Sequence, residues 1–370
     1  MTSDRISMVD MAAEYALIGP AIEEAVVRVL RSGQYVLGPE TKALEEEVAT
    51  YVGAPFALGV GSGTEALVLA LLAVGVGEGD EVITTPFTFF ATIEAIRLVG
   101  AVPVFVDIEE NSFNLDGAKI EAAITARTKA IMPVHLFGRC ADMVTIRKVA
   151  DAHGLPVVED AAQSIGASRA GRSAGNWGSA GCFSFYPAKN LGAAGDGGCV
   201  TTDDEEVYDR LHLLRAHGSK ERDVHSVIGT TSRLDSLQAA VLRVKLPHLD
   251  AWTAARAKSA ALYTEGLQGV KGVQLPNPGA DETHVWNQYA IRCEDPTPVR
   301  NALTEASIDW RHFYPKPVYL QPALGKYMLA QGACPHTEKR CEEVICLPMH
   351  PFLTEEEARR VAKTISQSLG

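Results

Sequence analysis

The chain has 370 residues, 46% of them apolar and 22% charged, with a formal net charge of −12, so it can bury a large core in one big domain plus a smaller one. That acidic balance argues against non-specific binding along a nucleic-acid backbone, which needs a basic surface, while leaving room for a local basic pocket. The longest uncharged apolar run, from Ala66 to Val76, falls short of the roughly 20 residues that cross a bilayer.

The N-terminus, MTSDRISMVD, lacks the basic-then-apolar order of an export signal, and a cytoplasmic location with no membrane partner is expected. From about Tyr51 to Thr202 short β-rich runs alternate with helical periodicity: FALGV, EVITTP, VPVFVDI, AIMPVHLF, LPVVEDAA, GCFSFY and GGCVTT. This alternation predicts an α/β fold with a mostly parallel central sheet covered by helices on both faces. Ligands of such sheets bind beyond the carboxyl ends of the strands. After Asp203 the pattern turns helical through VYDRLHLLRAHG and then from Ser232 to Leu267, with Pro247 expected to break or bend the second run. Beyond Gly269, short runs (VQLP, WNQYAIRC), proline-rich punctuation (FYPKPVYLQP) and a last helix near Glu355 to Leu369 predict a smaller α/β domain. We therefore expect a large domain over residues 1–250 and a small one over 251–370, with the N-terminal residues packing on the latter.

The seven cysteines form no CxxC pair and the ten histidines no HExxH pattern, which predicts buried reduced thiols and no metal site. Three motifs carry chemistry. In GVGSGTEALVLAL, Gly61 and Gly63 let backbone approach an anion, and a helix beginning near Thr64 offers free N–H groups and its positive dipole end. The same pattern also serves as a plain capped turn. Asp160, in LPVVEDAAQS, ends an apolar strand and needs a cation or hydrogen-bond donors to stay ionised; a helix cap or metal ligand is an equal reading of that residue alone. Lys189, in FSFYPAKNLGAAGDGG, sits in a glycine-rich turn and is either a solvated loop lysine or an amine tuned for covalent chemistry. Ser184, five residues earlier, can donate to the same anion. Together, a lysine, a strand-end carboxylate and a helix N-terminus suit pyridoxal 5'-phosphate (PLP). The carboxylate would keep the ring nitrogen protonated, so that the ring acts as an electron sink, and Gln163 would reach the ring hydroxyl.

The segments SGQYVLGPE, GSGTEAL, PFTFFAT, PVHLFG, VVEDAAQS, FSFYPAKNLGAAGDGG and SRLDSLQAAVL, with CLPMHPFLT near the end, resemble the DegT/DnrJ/EryC1/StrS family of sugar aminotransferases over nearly the whole chain. That resemblance implies a fold-type I PLP-dependent transferase, related in fold to aspartate aminotransferase. It further implies a homodimer with sites at its interface, aminating a nucleotide-linked keto sugar with L-glutamate and passing through the pyridoxamine form of the cofactor. Carried over residue by residue, Lys189 is the Schiff-base lysine, Asp160 pairs with the pyridine nitrogen and Gln163 approaches the ring oxygen. Gly63, Thr64 and Ser184 hold the phosphate, and Phe89 stacks on the ring.

Two segments depart from the family. Thr231 in GTTSRLD replaces an asparagine that reaches the neighbouring subunit's cofactor phosphate, leaving a shorter donor. Arg233 beside it serves either an anionic substrate group or a local salt bridge. In FYPKPVYLQP, Phe313 and Tyr319 replace two histidines of the sugar pocket while Tyr314 is kept, which points to a different hexose or oxidation pattern. The resemblance leans toward amination at C3 of a 3-keto hexose or hexuronic acid. C4 amination of a 4-keto-6-deoxy nucleotide sugar, amination of a cyclitol ketone, and a non-catalytic regulatory member are the alternatives.

Overall fold

The computed structural model describes residues 5–221 and 223–370. Seven strands form the central sheet: β1 (Phe56–Val60), β2 (Glu81–Thr84), β3 (Val102–Phe105), β4 (Thr128–Met132), β5 (Val158–Asp160), β6 (Ala180–Ser184) and β7 (Gly198–Thr202). Their order is β3-β2-β4-β5-β6-β7-β1, with β4 and β5 joined by parallel bridges Ile131–Val157 and Val134–Asp160. Only β7 runs against the rest, pairing antiparallel with β6 and β1. The sheet is thus mostly parallel, as the near-continuous apolar runs require of strands buried on both faces.

Helix α1 (Met11–Ser32) and α2 (Pro39–Val52) precede β1, and α3 (Gly63–Ala73) follows it directly. Helix α3 buries Ala66, Leu67, Leu69, Ala70, Leu71 and Ala73 against β6, β7, α4 (Ala91–Leu98) and α6 (Glu205–Leu214). A helix apolar on nearly all sides belongs in the interior, and its start is thereby held at the carboxyl end of β1. Helix α5 (Met143–His153) leads into β5.

The helical region after Asp203 is shorter than its periodicity suggests and is divided at Pro247 as expected. Helix α6 stops at Leu214, and His217 and Gly218 follow with φ of 59° and 70°, a left-handed backbone that no helix continues through. The long run starts at Ser236 because Ser232–Asp235 is irregular, and it splits at Pro247 into α7 (Ser236–Lys245), a 3₁₀ turn and α8 (Leu249–Leu267). Proline removes a helical N–H and clashes with the preceding turn.

A second, antiparallel sheet comprises β8 (Val273–Gln274), β9 (Tyr289–Cys293) and β10 (Val344–Leu347) in the order β8-β9-β10. Residues of α8, α9 (Thr297–Glu305) and α11 (Glu355–Leu369) share its apolar cluster with Ile6, which bridges to Ile308. Helix α10 (Pro335–Glu343) runs into β10. All seven cysteines are buried and free. Among the described residues no helix is long and apolar enough to cross a membrane, and no cluster of three His, Cys, Asp or Glu side chains could hold a metal.

Candidate active site

A pocket of about 480 Å³ opens at the carboxyl ends of the central strands, and Gly63, Thr64, Phe89, Asp160, Gln163, Ser184, Lys189, Phe313 and Tyr314 all line it. Residues between Gly63 and Lys189 meet there because β1, β5 and β6 point the same way and discharge their following loops at one edge, and Phe313 and Tyr314 reach it from the segment between α9 and α10.

Helix α3 begins beside Ser184. Ser62 caps it by accepting from the Glu65 N–H at 3.2 Å, and Gly63 and Thr64, whose N–H groups the helix itself cannot satisfy, line the pocket. A Cβ on residue 63 would lie 2.6 Å from the Ser184 Cβ, so only glycine lets the helix start this close to the serine hydroxyl. An N-terminus and a hydroxyl converging in this way could receive an anion.

Asp160 ends β5 and is 5% exposed. Its Oδ2 accepts from Thr92 Oγ1 at 2.8 Å and its Oδ1 from the Ala162 N–H at 3.2 Å. Burial raises its pKa above the ordinary value, while the Thr92 and Ala162 donors and the nearby Lys189 charge oppose that rise. Lys189 lies in the turn after β6, closed by its N–H to the Tyr186 carbonyl at 2.9 Å. Desolvation pulls its ammonium down to about 8, against the attraction of Asp160, so more of the amine is neutral near neutrality than for an ordinary lysine. An amine that can be neutral, facing a buried carboxylate that can hold a cation, is equipped for imine and proton-transfer chemistry.

Gln163 has its orientation set from both ends. Its Oε1 accepts from the Phe137 N–H at 2.7 Å, and its Nε2 donates to Tyr314 Oη at 3.3 Å. Burial raises the Tyr314 pKa, keeping the phenol protonated. Phe89 is 61% exposed at the pocket wall, with its ring centroid 6.3 Å from that of Tyr314.

Three predicted residues lie elsewhere in the single chain. Tyr319 is 0% exposed, packs against Phe105 and donates to Glu338; its side chain points into the core because Val318–Leu320 forms a 3₁₀ turn against the sheet cluster. Thr231 is exposed and 2.6 Å from His217 Nε2. Arg233 is partly buried and makes no hydrogen bond or ion pair among the described residues. The pocket also contains residues the sequence reading passed over. Thr88 lines it and hydrogen-bonds Thr92; the spacing of the two threonines around Phe89 was the available signal. Asn287 and Gln288 line it from the strand entering the second sheet. Asn287 Nδ2 donates to Asn190 Oδ1 at 2.9 Å, next to Lys189 in the chain, a contact between segments about 100 residues apart that no local pattern announces.

The same elements recur in known proteins. The chain is 45% identical over 364 residues to UDP-N-acetyl-3-dehydro-alpha-D-glucosamine 3-aminotransferase of Acidithiobacillus ferrooxidans, covering 98% of each chain. It matches the crystal structure of S. venezuelae DesV with a TM-score of 0.96 and 44% identity, covering 98% of each. It matches the Bacillus subtilis NtdA structure with bound PMP cofactor at a TM-score of 0.89 and 32% identity, over 95% of this chain and 82% of that one. The family model of the DegT/DnrJ/EryC1/StrS aminotransferases spans residues 17–366. A mostly parallel sheet that delivers a lysine, a carboxylate and a helix N-terminus to one pocket, and a family match over this length, place the chain in the DegT/DnrJ/EryC1/StrS aminotransferase family.

Proposed function

We propose that this aminotransferase uses PLP to move the amino group of L-glutamate onto a nucleotide-linked 3-keto sugar, a hexose or hexuronic acid. The observation that carries the proposal is the convergence of Lys189 and Asp160 on one pocket with the Gly63–Ser184 anion site. That donor set fits the cofactor: the N-terminus of α3 and Ser184 suit a phosphate, and a buried carboxylate with spare lone pairs suits a protonated ring nitrogen. The relative that is a UDP-sugar 3-aminotransferase supports the C3 position and the nucleotide link.

When bound, PLP supplies an aldehyde that takes up amines and a ring that withdraws electrons. The residues do the rest. Gly63, Thr64 and Ser184 would anchor the phosphate, and Phe89 would pack against the ring. Asp160 holds positive charge at the ring nitrogen and Gln163 orients toward the ring oxygen, its amide fixed by the Phe137 N–H. Lys189 would take the proton from the donor's α-carbon in one half-reaction and deliver one to the aminated sugar carbon in the other, a role suited to an amine whose pKa is about 8. Tyr314 and Phe313 border the sugar. Tyr319, packed on Phe105 in the core, lies outside this wall.

Thr231 and Arg233 lie outside the pocket of their own chain, and we assign them to the site of a second copy in a homodimer. We also place the division between the large and small domains near residue 250, at the 3₁₀ turn that separates α7 from α8.

The test is mass spectrometry of the PLP-loaded protein incubated with L-glutamate and a panel of UDP- and dTDP-linked 3-keto and 4-keto sugars. Amination of a 3-keto member with matching 2-oxoglutarate is expected. Products from 4-keto members alone would overturn the C3 assignment, and no turnover of the cofactor by glutamate would overturn the donor.

A further inference from the structure

Two threonines lie behind the carboxylate that faces the proposed ring nitrogen. Thr88 Oγ1 and Thr92 Oγ1 are 2.8 Å apart, and Thr92 Oγ1 is 2.8 Å from Asp160 Oδ2. Thr88 and Thr92 are 2% and 0% exposed and Asp160 5%, so bulk water does not compete for these bonds. The direction of the chain follows from proton counting. An ionised carboxylate only accepts, so the single hydrogen of Thr92 points to Asp160, and its oxygen then accepts from Thr88.

We infer that Thr88 and Thr92 form a hydroxyl relay that holds Asp160 in its ionised form and in a fixed orientation, making them positioning residues for amino transfer. The inference rests on the assignment of Asp160 to the ring nitrogen. Protonating Oδ2 would oblige both buried hydroxyls to turn round or leave an O–H facing an O–H, a cost that favours the anion. Thr92 thus counters the burial that raises the Asp160 pKa. Thr92 also sits in the first turn of α4, and its N–H is bonded to the Phe89 carbonyl at 3.3 Å. One short segment therefore carries the ring-face aromatic at Phe89 and fixes the carboxylate at the ring edge.

Other titratable groups face the same carboxylate. Lys189 and His135 bear on it directly, and Cys182 and Tyr314 feel its charge; none of them is altered by substitution at position 92. A change in Asp160 on removing the Thr92 hydroxyl is therefore attributable to the relay.

The first readout needs no catalysis. Aspartate carboxyl carbons of the full-length apo-protein are labelled with ¹³C and titrated by NMR, the Asp160 line being the one missing in D160N. In T92V, which keeps the side-chain shape and removes the donor, the Asp160 midpoint should rise by about one pH unit. In T92S, which restores the donor, it should return to the wild-type position. T92A, which also lacks the hydroxyl but leaves space, decides the matter if T92V does not fold. In the holoenzyme, the acid limb of the glutamate half-reaction should move up in T92V and return in T92S. An unmoved midpoint in the variants lacking the hydroxyl, or a T92S midpoint shifted as far as theirs, overturns the relay. The parent assignment is tested separately: a D160N holoenzyme that reacts with glutamate at the wild-type rate overturns the ring-nitrogen role of Asp160, whatever the Thr92 variants show.

Discussion

Burial acts on Lys189 and Asp160 in opposite senses, lowering the pKa of one and raising that of the other, and their mutual attraction opposes both shifts. For Lys189 desolvation wins, because its value falls from 10.5 to about 8. The apo-protein should accordingly combine with added PLP at a rate that climbs with pH and levels off above about 8, followed by cofactor absorbance; a rate still climbing well beyond that point would mean an ordinary lysine. The linkage has a definite sign. Between about pH 8 and 10.5 the unfolded chain holds a proton that the folded apo-protein has released, so this group adds stability as pH rises through that window. The candidate identity of Lys189 was legible from its glycine-rich turn between two apolar strands. Its pKa was not, because that depends on how completely other segments enclose it.

Among the elements, β5 carries two adjacent acids on opposite faces. Asp160 faces the pocket. Glu159, 0% exposed, turns away and accepts from the backbone N–H groups of Gly175, Trp177 and Gly178 at 2.9, 2.7 and 2.7 Å and lies 2.7 Å from His135 Nε2. His135 Nδ1 accepts from the Ala141 N–H at 3.1 Å, which leaves its proton on Nε2 to donate to Glu159 when the ring is neutral. The carboxylate thus organises the turn leading into β6, the strand that presents Ser184 and then Lys189. Glu159→Gln places an amide N–H₂ among donors, and a loss of about 3 kcal/mol in urea unfolding is expected. Strand alternation distinguishes Glu159 from Asp160 by face, but the turn that satisfies Glu159 comes from residues 175–178, and nothing in VVEDAAQS points to it.

At the scale of the whole molecule, Asp107 ties the segment after β3 to α10. Its carboxylate, 8% exposed, accepts from the His336 and Thr337 N–H groups at 2.9 Å each and from Thr337 Oγ1 at 2.7 Å, capping a helix some 230 residues further along the chain. Asp107→Ala should cost about 2 kcal/mol, read as a lower urea midpoint, while Asp107→Asn, which keeps one accepting oxygen, should lose less. This link spans the central sheet and the helix that feeds β10, so the two sheets do not depend on α8 alone for their connection.

The alternation of strands and helices from Tyr51 to Thr202, the mostly parallel sheet and the identity of Lys189, Asp160, Gln163, Gly63, Thr64, Ser184 and Phe89 as candidates could be read from the sequence. These follow from periodicity and turn chemistry within a few residues, and the family motifs are local as well. Only the tertiary structure decided that Tyr319 belongs to the core, that Thr88 and Thr92 stand behind Asp160, and that Asn287 braces the residue next to Lys189. Local patterning records which face of a strand or helix is apolar, whereas hydrogen-bond partners, desolvation and packing behind a pocket depend on which distant segments the fold brings against that face.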